Sequence, residues 1–134
     1  VTLTDKLAAK AHISSACPEL ALPRTLWSGR DPADIPLDLL AGDVVVKTNH
    51  GCAMNIFVAN GNPGRGHIIA RVRHWLRKRY GRRDGEWAYW PIVRTVFVEE
   101  RLPLSGARIA TDIKVHVCGG VVTHAWVEDK AARR

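Results

Sequence analysis

The sequence predicts an α+β fold in which antiparallel hairpins outnumber helices. Three observations carry that reading. Valine-rich runs of strand length stand at 43–48, 93–100, 111–118 and 121–127. Two of them are joined by Gly119-Gly120 alone, a two-residue connection whose positions both tolerate positive φ. One segment, 67–80, carries a clear helical stripe. The chain has 134 residues, 46% hydrophobic and 25% charged, which suits one compact domain or one piece of a larger one. That composition excludes disordered and collagen-like classes. No apolar run approaches the ~18–20 residues of a membrane helix.

Thr4 and the Asp-Lys-Leu-Ala-Ala-Lys that follows read as a capped helix start running to about His12, with Cys17-Pro18 ending it. Leu20–Leu22 and Thr25–Trp27 are short strand candidates, Gly29–Pro36 is loop, and Leu37–Leu40 is one helical turn. Asp43–Thr48 reads as a buried strand with Lys47 near its end. Asn49–Met54 is a small-residue turn, and Asn55–Ala59 is the return strand. Asn60–Gly66 is loop. In the helix from His67 to Tyr80, Ile68, Ile69, Val72, Trp75 and Leu76 share one face, and Gly81 stops it. The tail from Glu128 is helical or frayed.

Twenty Lys and Arg against thirteen Asp and Glu give a net charge of +7, so an anionic partner is expected: nucleotide phosphate, nucleic acid or a membrane surface. Eight of the basic residues lie between Arg65 and Arg83. With Trp75, Tyr80, Trp87, Tyr89 and Trp90 nearby, the Arg71–Arg83 stretch offers an alternative function as a small nucleic-acid-binding module. The same stretch also reads as the solvated face of an amphipathic helix. Cys17, Cys52 and Cys118 are odd in number and form no Cys-x-x-Cys pair, which points to a reducing, cytoplasmic setting. Of the histidines, only His116 and His124 are placed to meet, and metal-ligand spacing is absent.

Candidate chemistry sits at strand ends. Lys47 closes a buried strand just before the small-residue turn, where its ammonium can face a cleft or snorkel to solvent. Glu99 and Glu100 end another strand and lie on its opposite faces, so that one can point into a cleft, or the pair reads as a solvated strand end. Asp112 and Lys114 are two apart on a strand and share a face, as ligands for hydroxyls and anions or as half of a cross-strand ion pair. Gly61–Gly66 precedes a helix but matches neither of the two Gly-rich phosphate-binding spacings, and reads as a connection.

The order of these features resembles the ATP-grasp superfamily, and more narrowly its TupA-like branch of cell-surface polysaccharide and teichuronopeptide synthesis. Asp5-Lys6-Leu7 with Lys10 resembles the helix opening the nucleotide domain. Leu26-Trp27 resembles the branch's aromatic strand. Val45-Val46-Lys47-Thr48-Asn49-His50-Gly51 with Asn55-Ile56 resembles its Leu-Lys-Cys-Asn-His-Gly segment. Trp75-Leu76, Gly81-Arg82-Arg83 and Glu86-Trp87 resemble the helix and the Glu-Trp after it. Val98-Glu99-Glu100 resembles the hinge, and Asp112-Ile113-Lys114 with Gly119-Gly120 resembles the Asp-Tyr-Lys hairpin. The likeness runs from about Leu3 to Val127.

The resemblance implies a partial ATP-grasp fold: an entry segment to about residue 40, a nucleotide-binding lobe over 41–100, and the start of a second lobe over 101–134. It implies ATP as cofactor, with Lys10 and Lys47 on the phosphates and adenine, and Asn49, His50 and Gly51 in the loop over the phosphates. Glu99 and Glu100 would form the adenine hinge, Asp112 would face the ribose, and Lys114 the phosphates or the acceptor's acid. Lys47 and Lys114 would serve catalysis. The family's ligases form an acyl phosphate that a nucleophile displaces, with lysines and magnesium neutralising the phosphoryl in flight. The implied partners are ATP and an anionic saccharide or peptide acceptor, in the cytoplasm or at the inner membrane surface. Cys52, Ala53 and Val121 depart from the family pattern. The Asp, Glu and Asn that hold its magnesium have no counterpart after Asp112, so the resemblance implies a fragment or a degenerate member without full catalysis, and a non-catalytic ATP-grasp remnant stands as a further alternative function.

Overall fold

The computed structural model describes residues 2–102 and 112–128. The chain divides into two compact units, Val1–Arg101 and Leu102–Arg134. The architecture is mixed α/β with antiparallel sheets and few helices.

In the first unit, helix α1 spans Lys6–Ala16 and is capped by Asp5, whose carboxylate accepts from the backbone N–H of Leu7 and Ala8. Asp5 rather than Thr4 is therefore the cap, and the helix runs one turn beyond His12. Strand β1 (Thr25–Gly29) follows, then the short helix α2 (Leu37–Ala41), strands β2 (Val44–Thr48) and β3 (Asn55–Val58), helix α3 (Arg65–Arg77) and strand β4 (Val96–Glu100). The strands form one antiparallel sheet in the order β1-β4-β2-β3. Leu20–Leu22 is not a strand. A short 3-10 turn at Trp87–Tyr89 was not expected from sequence pattern.

Strand alternation sorts the two sheet faces. Val44 and Val46 from β2, Ile56 and Val58 from β3, and Val96 and Val98 from β4 join one apolar cluster with Ile68, Val72 and Trp75 of α3. The stripe read from the sequence is thus the buried face of that helix. The opposite sheet face carries Val45, Lys47, Phe97 and Glu99, and α1 reaches it through Lys10 and Glu99. The helix ends at Arg77, and Lys78 turns extended at its cap. Tyr80 instead packs on Gly51: a Cβ at Gly51, whose φ is +80°, would stand 2.6 Å from the Tyr80 ring. Strand β4 starts at Val96 rather than Val93. Asn49 holds the preceding segment by donating to the Val93 carbonyl and accepting from the Thr95 N–H, at 2.9 and 2.8 Å.

The second unit contributes the hairpin β5 (Asp112–Cys118) and β6 (Val121–Glu128). Gly119 and Gly120 take φ values of +58° and +80°, the primed turn that a Gly-Gly connection favours.

Candidate functional site

The site begins with the face of β2 and β4 opposite the apolar cluster. Lys47 is opposite Phe97 and Val45 is opposite Glu99, so Lys47 and Glu99 are diagonal neighbours on one face. Lys47 Nζ donates to Glu99 Oε1, and Lys10 Nζ donates to the other oxygen, Oε2, at 3.0 Å. The Glu99 side chain is 6% exposed, and the two lysines are 21% and 28% exposed. One buried carboxylate therefore bridges two half-buried ammoniums from α1 and β2. Lys10 also donates to the Pro23 carbonyl.

Lys6 stands one helical turn before Lys10, on the same face of α1. Its Nζ donates to the carbonyls of Thr48, at 3.1 Å, and Gly51. Burial lowers its pKa; Cys52 raises it, and the nearby Lys47 ammonium lowers it further. Three ammoniums thus gather against two carboxylates, Asp5 and Glu99. An ammonium has three N–H donors, so Lys47 and Lys6 each keep at least one for an added anion.

The remaining residues singled out by the sequence lie as follows. Asn49 is buried, and its amide is committed to Asp5, Val93 and the Thr95 N–H. His50 is 1% exposed and its Nε2 lies 3.2 Å from the Trp75 carbonyl. Burial lowers its pKa, the Trp75 carbonyl opposes that, and the Arg94 and Lys6 charges add to the lowering. Gly51 closes the turn against Tyr80. Glu100 points away from Glu99 and pairs with Arg24, which holds its carboxyl below the usual range through a backbone N–H and the guanidinium. The Glu100 N–H goes to the Arg24 carbonyl at 3.0 Å, so β4 leaves that donor to no ligand.

In the second unit, Asp112 is opposite Glu128 and Lys114 is opposite Trp126. His116 and His124 are directly opposed, with ring centroids 4.4 Å apart, and His116 also stacks on Trp126 at 4.6 Å. Among the described residues, no three His, Cys, Asp or Glu side chains converge as metal ligands. No helix among them is long and apolar enough to cross a membrane. All three cysteines are free and exposed.

The basic helix spends part of its charge internally. Arg73 pairs with Asp31 at 3.0 Å, and the Arg71 guanidinium sits 5.7 Å from the Trp75 ring centre. The Ala33 N–H and the Arg73 guanidinium together hold the Asp31 carboxyl low.

Sequence reasoning missed a second feature of the first unit. A cavity of about 430 Å³ lies beside the His50 turn, walled by Arg79, Tyr80, Arg82, Tyr89, Trp90 and Arg94. Tyr80 and Tyr89 meet edge to face at 4.8 Å. Burial pushes the Tyr89 pKa up to about 12, with Cys52 adding to the rise, so its phenol stays protonated. The signal that could have found the cavity was aromatic and basic residues crowded between α3 and β4. Those residues come together in the folded chain, where Tyr80 packs on Gly51.

No protein-family model matches the chain, and no curated protein or solved structure matches it.

Proposed function

We propose that this chain is an ATP-binding, ATP-grasp-type protein, the nucleotide-binding part of a carboxylate ligase acting in cell-surface polymer synthesis. The observation that carries the reading is the meeting of Lys10, Lys47 and Glu99, brought from three elements to one carboxylate. Those residues belong to three separate motifs of the family resemblance. Glu99 holds the lysines in place before any anion arrives, which lowers the cost of ordering them on binding. In this reading Lys6, Lys10 and Lys47 supply the ammonium donors for the triphosphate oxygens.

In this reading the acceptor is an anionic saccharide or peptide. Titration with a fluorescent ATP analogue tests the proposal. Lys47→Ala and Lys10→Ala are each expected to weaken binding about tenfold, the loss of one charge-assisted hydrogen bond. Equal binding by wild type and both variants overturns it. Steeply salt-dependent binding of DNA or RNA, lost on Arg→Ala changes in Arg71–Arg83, would favour the nucleic-acid module instead.

A further inference from the structure

The cavity beside the His50 turn lies outside the lysine–glutamate cluster and has a different character. Its lining combines three arginines with three aromatic residues. Arg79 and Arg82 have no ion-pair or hydrogen-bond partner among the described residues, whereas Arg94 is anchored by donating to the Leu76 carbonyl at 2.9 Å. Planar guanidinium forks match carboxylate and phosphate oxygens in pairs. His50 also lines the cavity.

The aromatic wall narrows the class. Tyr80 and Tyr89 bring phenol hydroxyls, and Trp90 brings a large ring that is 58% exposed. A sugar ring presents apolar C–H faces and hydroxyl edges, which suits a wall of aromatic faces edged with phenol hydroxyls. The volume, about 430 Å³, falls toward the lower part of the small-molecule range of about 300–1,000 Å³. It takes one small molecule rather than a polymer strand.

We propose that this cavity binds a monosaccharide-sized acid, its carboxylate or phosphate held by Arg79 and Arg82 and its ring against Tyr80, Tyr89 and Trp90. The binding itself stands on the cavity alone; the ligand's role as acceptor rests on the ATP reading above.

The test is calorimetric titration of the chain at low salt, without nucleotide, with D-glucuronate, D-glucose 6-phosphate, D-glucose and benzoate. At least one sugar acid is expected to bind, with glucose and benzoate each at least about tenfold weaker. Binding of glucuronate alone assigns a carboxylate head, and of the phosphate alone a phosphate head. Arg79→Ala/Arg82→Ala is expected to weaken sugar-acid binding at least about tenfold, and Trp90→Ala to weaken it as well. All three side chains are exposed, so the variants should keep the wild-type melting temperature. Lys47→Ala should leave sugar-acid binding unchanged. Equal binding of acids and glucose, preference for benzoate, absence of sugar-acid binding, or indifference to the arginine pair each overturns the proposal. If Lys47→Ala and Lys10→Ala both leave ATP binding intact while sugar acids still bind, the nucleotide reading fails and the pocket stands.

Discussion

The sheet of the first unit and the hairpin of the second are both antiparallel and both rich in valine, yet they differ in what covers them. Val44, Val46, Val96 and Val98 are buried under α3. Ile113, Val115, Val117 and Val127 are all exposed. In residues 113–127 only Lys114 is even half-buried. A strand's valine content therefore states what it can bury, and the packing partner decides whether it does. A two-stranded hairpin alone has little core to hold it, whereas the four-stranded sheet fixes its side chains against a helix. Lys10, Lys47 and Glu99 stand on packed elements, whereas Asp112 and Lys114 stand on a two-stranded ladder.

The comparison breaks first at the core. Ile68→Ala should lower the stability of the first unit by about 2–5 kcal/mol in denaturant unfolding, since it empties a fully buried site beneath the sheet. A smaller loss is expected for Glu99→Gln, about 1–3 kcal/mol, because two half-buried ammoniums lose their counter-charge. Glu100→Gln should cost less and lose its effect in salt, since its Arg24 partner is exposed. A Glu99 change no larger than the Glu100 change would mean that burial does not set the strength of the cluster.

His50 sharpens the same contrast through pH. Its folded-state pKa lies below the ordinary 6.5 chiefly because burial disfavours the imidazolium. The unfolded chain takes up the proton more readily, so the stability gained from holding His50 neutral is present above about pH 6.5 and is lost as pH falls through the folded value. Unfolding measured from pH 7.5 to 5 should show that loss, and His50→Gln should flatten the slope. A slope unchanged in the variant would contradict the account. The smallest effect is expected for Val115→Ala, within about 0.5 kcal/mol, since its side chain is already half in solvent.

Local pattern made much of this legible. The α3 stripe, the Val44–Val46 strand and the Gly119-Gly120 turn are each encoded within a dozen residues, and each formed where its pattern lies. Boundaries moved where a distant side chain intervened. Val93–Thr95 stays out of β4 because Asn49, from another loop, bonds its backbone on both sides. The helix stops short of Tyr80 as that ring turns onto Gly51. The burial of Glu99 was not legible either. A carboxylate at a strand end reads as solvated until Lys10, 89 residues away, is seen to cover it. The cavity is the extreme case, since its walls meet only in the folded chain.

The most direct test of the central claim is a two-dimensional amide spectrum of the isotope-labelled chain recorded with and without ATP. The account predicts shifts concentrated in residues 6–10, 47–51 and 96–100, where the three lysines and Glu99 converge. Shifts confined to the exposed arginine face of α3, or no shifts at saturating nucleotide, would contradict it.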